Sequence, residues 1–301
     1  MSHLHFVARF RTSHSRNRHQ FALSGFRLFL LVGIMVMLTY LFQKIIQPHF
    51  FLQSGMPLGV NQNEIFYLPE SDADTIIHNR FFSSGLSVEN NQPLWVAYEL
   101  SQARLKGPMV KGTTGFKEER ESDFLSPDYI KGYLVPVADR SFSKEALKET
   151  LQFNNIAPQL FHFNKGIWRE LEEQVRAWVD YNRRLIILCG PVFDNPQSIY
   201  VGSNRLSIPN SFFKVILDIN EIPPQAIGFI FPHQIQEKKL IDFAVSVDRV
   251  EEYTGIDFFP ELFTDTLEEQ IEQDFSKAHW SFDFRLYEMR INKWNKLERD
   301  E

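Results

Sequence analysis

The sequence predicts an α+β fold, a central antiparallel sheet flanked by helices and preceded by one N-terminal transmembrane helix. Three observations carry this reading. Short β-rich runs punctuated by turn residues dominate the chain beyond residue 64, only a few stretches have helical periodicity, and Leu28 to Phe42 contains no charge. At 301 residues and 44% hydrophobic, the chain has room for one large domain and an appendage.

Taken in order, residues 1–27 form a basic segment expected in the cytoplasm. The first acidic residue is Glu64, and before it stand Arg9, Arg11, Arg16, Arg18, Arg27 and Lys44. Residues 28–46 are the expected anchor, because 19 helical residues rise roughly 28 Å, about the hydrocarbon thickness of a bilayer. Lys44 can snorkel to the head groups. With arginines only on the leading side, the body is expected in the periplasm or outside the cell. A cleaved signal would need a small-x-small site, which Tyr40-Leu41-Phe42-Gln43-Lys44 does not offer. The Arg- and Ser-rich, acid-free stretch Arg9 to Ser24 leaves a mitochondrial inner-membrane anchor as the alternative.

Residues 47–63 read as a linker and 64–275 as the folded domain. Within the domain, Leu94 to Leu100, Arg184 to Leu188, Ser198 to Val201, Phe212 to Ile219 and Ile227 to Phe231 are expected strands. Helices are expected at Ser143 to Leu151 and at about Gly166 to Val179, the second with Ile167, Trp168, Leu171, Val175, Trp178 and Val179 on one face. Residues 276–301 form a C-terminal extension. There Trp280, Phe282, Phe284 and Leu286 alternate as in a strand, and Tyr287 to Trp294 looks helical.

The lone Cys189 excludes an intrachain disulfide framework and reads as a small buried apolar side chain. The formal charge is −6, and removing the six leading positives leaves about −12 for the body. An acidic body is poorly suited to gripping phosphates as a whole, so any nucleic-acid contact must come from local basic groups.

The chemistry concentrates in Phe153-Asn154-Asn155-Ile156-Ala157-Pro158-Gln159, Phe163-Asn164-Lys165-Gly166-Ile167-Trp168 and Leu171-Glu172-Glu173-Gln174-Val175-Arg176. Glu172 and Arg176 lie eight and twelve residues after Asn164, about 80° and 120° around an unbroken helix, so all three can share a side away from the apolar stripe. In isolation, Glu172 and Arg176 would be an ordinary surface pair and Asn164 a helix cap. The surrounding motifs argue otherwise. Together with Gly132-Tyr133-Leu134-Val135-Pro136-Val137-Ala138-Asp139 and Cys189-Gly190-Pro191-Val192-Phe193, they resemble the DNA/RNA non-specific endonucleases, the ββα-metal family of mitochondrial and secreted bacterial nucleases. The resemblance runs from about Glu64 to Asp274.

The resemblance implies a ββα-metal nuclease fold, Mg²⁺ (or Mn²⁺) as cofactor, DNA and RNA as non-specific partners, and a possible homodimer. By position, Asn164 would hold the ion, with water filling most of its other sites, as suits Mg²⁺. Glu172 would organise those waters, Arg176 would steady a phosphate, and Asn155 would support the site. Where the family carries Asp-Arg-Gly-His, this chain reads Ile130-Lys131-Gly132-Tyr133. Tyr133 thus stands in place of the general base, and at a reference pKa of about 10 only on the order of 0.1% is phenolate at neutral pH. Losing a positioned base typically costs about 10²–10⁴-fold. Lys131 offers a point charge where arginine offers a fork, and an upstream family arginine falls near Thr114. His162, two residues before Asn164, is the nearest substitute base and reads as a loop side chain, while His78 and His233 look structural. Two functions follow: a membrane-anchored Mg²⁺-dependent nuclease with hydrolysis reduced or lost, or an inactive pseudonuclease serving as a metal- and nucleic-acid-binding or assembly module.

Overall fold

The computed structural model describes residues 33–38, 40, 67–110, 128–193 and 199–298. The chain divides into two units, Met1–Pro57 and Leu58–Glu301. In the first, residues 33–38 and 40 are helical and exposed. The rest of the expected anchor, the whole of the expected linker 47–63, and Thr114 lie outside the described residues. Among the described residues no helix is long and apolar enough to cross a membrane.

In the second unit the strands are β1 (Thr75–His78), β2 (Ser83–Ser87), β3 (Gln92–Ser101), β4 (Tyr129–Tyr133), β5 (Ile156–Leu160), β6 (Arg184–Val192), β7 (Tyr200–Val201), β8 (Leu206–Ser207), β9 (Ser211–Asp218), β10 (Gln225–Pro232) and β11 (Ala244–Val245). Seven form one sheet in the order β1-β2-β3-β6-β9-β10-β11, every pair antiparallel. β4 and β5 form a separate two-stranded antiparallel sheet, joined through residues 134–155, and β7-β8 form a two-stranded hairpin.

Strand alternation divides the apolar residues between two faces. Val96, Tyr98 and Leu100 of β3, Leu185, Ile187 and Cys189 of β6, and Phe212 and Ile216 of β9 face one core. Trp95, Ala97, Ile186, Leu188, Phe213, Val215 and Leu217 face the other. Helix α1 (Lys144–Thr150) is capped by Ser143, whose Oγ accepts from the Ala146 N–H at 3.0 Å. Helix α2 (Arg169–Asn182) buries Leu171, Val175, Trp178 and Val179 in the first core, as its 3.6-residue stripe predicts. Helices α3 (Val247–Thr254) and α4 (Asp265–Glu272) cover the second core with Val247, Val250 and Ile271.

The structure corrects the sequence in two places. The helix predicted from about Gly166 begins instead as a short turn, Phe161–Phe163, followed by a π-helical turn at Asn164–Trp168 before α2. Gly166 is the break, with φ −94° and ψ −108°, and a Cβ there would lie 2.5 Å from Asn295 Oδ1. The tail contains no strand at Trp280 to Leu286. Asp283 caps helix α5 (Phe284–Asn292) by accepting from the Arg285 N–H at 2.9 Å. The apolar alternation in the tail reflects docking instead. Trp280 is fully buried against Trp178, ring centroids 4.9 Å apart, and the Ser281 carbonyl accepts from Trp178 Nε1 at 2.7 Å.

Candidate active site

The β4-β5 pair leads through the Asn164 turn into α2, which gives a strand-strand-helix unit packed on the first face of the sheet. In β4, Lys131 faces Pro158 and Tyr133 faces Ile156 across the pair. Gly132 between them is needed for close approach, since a Cβ would lie 2.3 Å from Gln159 Cδ. Gln159 therefore lies over the middle of β4, and its Oε1 accepts from Asn164 Nδ2 at 2.7 Å. That bond ties Asn164 to the Lys131–Tyr133 strand.

The same bond orients the Asn164 amide. With Nδ2 turned toward Gln159, the carbonyl oxygen Oδ1 is left as the atom a hard cation takes. Gln159 Nε2 is buried without a hydrogen-bond partner, a donor placed beside Asn164 that a water or phosphate oxygen would satisfy. One neutral oxygen with water completing the shell fits Mg²⁺ or Mn²⁺, so these residues fit the expected ion.

Asn155 is fully buried and bonds only backbone. Its Oδ1 accepts from Val135 N at 2.7 Å, and its Nδ2 donates to Val135 O at 3.0 Å and Thr150 O at 2.9 Å. It clamps the segment that leaves Tyr133 and is a positioning residue.

Glu172 and Arg176 lie one turn apart in α2, and Arg176 is committed to other partners. Its Nη1 donates to Asp139 Oδ1 at 2.8 Å and its Nη2 pairs with Glu173 Oε1 at 3.1 Å. Asp139 is 2% exposed and its Oδ2 accepts from Tyr98 OH at 3.2 Å. Burial works against the Arg176 charge, but Asp139, Glu172 and Glu173 together raise its pKa above the ordinary guanidinium range. Burial pushes Glu172 up to about 7, against the opposing pull of Lys214 and Arg176.

Lys214, Asp139 and Gln159 were not singled out as site residues in the sequence. The signal for Lys214 was present: it interrupts Phe212-Phe213-Lys214-Val215-Ile216, and parity puts it on the same face as Phe212 and Ile216. It is fully buried, its Nζ has no hydrogen-bond partner, and the Trp168 ring centroid is 4.2 Å away. Opposite it on β6 sits Cys189, whose thiol burial pushes up to about 12. Cys189 is inert, as the sequence suggests.

Tyr133 is half-buried against an apolar cluster of Ile156, Val201 and Leu206, roofed by the β7-β8 hairpin. His233 lies close by, its ring centroid 5.1 Å from that of Phe163, but both its nitrogens are engaged. Nε2 accepts from Leu160 N at 2.8 Å and Nδ1 donates to Pro209 O at 2.9 Å, and burial lowers the imidazole to about 4. It is a structural histidine. His162 is exposed on the turn before Asn164, its ring edge-on to Phe161.

Comparison with known proteins identifies the family and the fold. A family model described as DNA/RNA non-specific endonuclease matches residues 59–265. The mitochondrial nuclease EXOG of Danio rerio is 28% identical over 260 residues, covering 75% of this chain and 72% of that protein. Mitochondrial endonuclease G of Homo sapiens is 25% identical over 190 residues, covering 56% of this chain and 64% of its own length. The chain thus spans less than two thirds of that relative. A chain from the crystal structure of an EndoG/EndoGI complex, a study of EndoG inhibition, superposes with a TM-score of 0.58 at 21% identity. It covers 66% of this chain and 90% of that one, a likeness of fold.

Proposed function

The chain belongs to the DNA/RNA non-specific endonuclease family, and from that footing we propose a nucleic-acid-binding, divalent-ion-binding site at the β4-β5-α2 edge whose phosphodiester hydrolysis is reduced or lost. The reading rests on Tyr133, which by the sequence resemblance takes the place of the family histidine, and which packs against an apolar cluster. His233 does not take over, because both its ring nitrogens are locked in hydrogen bonds, and His162 reads as an exposed side chain of the turn before Asn164.

In this reading Asn164 Oδ1 holds Mg²⁺ or Mn²⁺, and the ion supplies Lewis-acid polarisation of a phosphoryl oxygen. Gln159 fixes the Asn164 amide and offers Nε2 to a water or phosphate. Glu172, in its ionised form, accepts hydrogen bonds from waters around the site, and Lys131 contributes a positive charge at the strand edge. Asn155 keeps Tyr133 and its following loop in place. Tyr133 orients water without serving as an efficient base.

A pseudonuclease, retaining binding without turnover, is favoured by a second observation. The Arg176 fork is occupied by Asp139 and Glu173, so it has little left for a phosphate. The names of the relatives favour the mitochondrial alternative for location, with residues 28–46 as an inner-membrane anchor, and a homodimer is the proposed assembly. The test is divalent-dependent nicking of plasmid DNA and cleavage of RNA by the full chain, with Asn164→Ala beside it. Mg²⁺-dependent cleavage lost in Asn164→Ala supports a slow enzyme. Binding without cleavage supports the pseudonuclease. Absence of both binding and cleavage would end the proposal.

A further inference from the structure

On the sheet face opposite the candidate active site, α3 and α4 bring Asp248, Glu251 and Glu272 together, with ligand oxygens all within 4.8 Å of one another. Such groups often occur as solvated acids, but Glu272 is only 6% exposed, and its Oε1 is buried with no hydrogen-bond partner. A buried carboxylate oxygen without a donor is costly to leave in a folded protein. The charges acting on Glu272 are also one-sided: Glu251, Glu268, Asp248 and Asp257 all oppose its ionisation. Arg249, the basic residue next to Asp248, is turned to Glu252. Glu272 is the last residue of α4, where the negative end of the helix dipole disfavours another anion and favours a cation.

We infer that Asp248, Glu251 and Glu272 form a second divalent-cation site, suited to Ca²⁺ and separate from the Asn164 site. Glu251 keeps one oxygen engaged, accepting from Phe258 N at 2.8 Å, and its other oxygen is the proposed ligand. Three carboxylates converging on one point suit Ca²⁺, which takes many protein oxygens, whereas Mg²⁺ usually keeps several waters and takes one or two carboxylates. Asp248 is exposed at the rim, so water completes the coordination. Bound Ca²⁺ would clamp α3 to α4 and fix the layer over the second core.

The experiment is thermal unfolding with calorimetric titration of the full chain, stripped with EDTA and then given CaCl₂ or MgCl₂. Glu272→Gln, Asp248→Asn and Asn164→Ala are run in parallel. Ca²⁺ is expected to stabilise the native chain and Asn164→Ala, raising the folded-to-unfolded ratio about 100-fold when free Ca²⁺ is about 100 times the dissociation constant. Glu272→Gln is expected to melt higher than the native chain in EDTA and to lose the Ca²⁺ response, and Asp248→Asn to weaken it at least about tenfold. If the native chain melts identically with and without Ca²⁺ up to about 5 mM, or if both variants keep the native response, the inference is overturned. Asp248 is exposed, so its variant keeps the test decisive should Glu272→Gln fail to fold.

Discussion

Lys214 Nζ lies 4.2 Å from the centre of the Trp168 ring, fully buried and without a hydrogen-bond acceptor. This places a positive charge under α2, where it opposes the burial of Glu172. Removing it should leave Glu172 harder to ionise. Lys214→Met is expected to move the Glu172 titration from about 7 upward by about one unit, followed by carboxyl-carbon NMR. Lys214→Arg should restore it. An unmoved midpoint in Lys214→Met would remove Lys214 from the site.

Asn155 bonds three backbone groups and nothing else. Asn155→Ala leaves those groups buried and unpaired, and is expected to destabilise the fold by about 2–4 kcal/mol in urea unfolding. A loss below about 0.5 kcal/mol would show that water or relaxation replaces the clamp.

The C-terminal extension is held by a buried ion pair. Arg290 is fully buried and donates to Glu170, Gln236 O and Lys238 O. Arg290→Met strands the Glu170 carboxylate, which burial already raises in pKa against the pull of Arg290. A destabilisation of about 3–5 kcal/mol is expected, and equal stability in the two proteins would contradict it.

Stability should also fall with rising pH when divalent ions are chelated. Burial first, then neighbouring acids, lifts Glu251 to about 7 and Glu272 to about 9. The unfolded chain releases these protons at about pH 4.3, so the folded state binds more protons between those values. The contribution is fully present below about pH 4.3 and lost as pH rises through about 7 and then about 9. The urea midpoint in EDTA is expected to drop by roughly half a molar or more from pH 5 to pH 9. Glu272→Gln should flatten the slope.

Much of the fold was legible because periodicity reports burial directly. The α2 stripe and the β-rich runs of β3, β6, β9 and β10 lie where the sequence placed a helix and strands, with boundaries moved by a few residues. The strands β1 and β2 were not legible, since Ser83-Ser84-Gly85-Leu86-Ser87 is polar in sequence and buried by its neighbours. The alternating tail read as a strand because aromatic spacing cannot distinguish pairing from docking. Asn164, Tyr133 and Lys131 are proposed from motifs, and contact across β4 and β5 supplies what motifs lack. Gln159 joining Gly132 to Asn164, and Lys214 beneath Glu172, arise from strand pairing and packing between distant segments. The helical angles computed from Asn164 were broken by one local event, the non-helical Gly166.

In the proposed reading, Tyr133 in place of histidine is the main limit on hydrolysis at the β4-β5-α2 site. The direct measurement is Mg²⁺-dependent plasmid nicking by the native chain and by Tyr133→His under identical conditions. A gain of about 10²-fold or more in Tyr133→His, abolished by adding Asn164→Ala, is the predicted result. Native cleavage as fast as that of Tyr133→His, or faster, would show that Tyr133 does not limit hydrolysis.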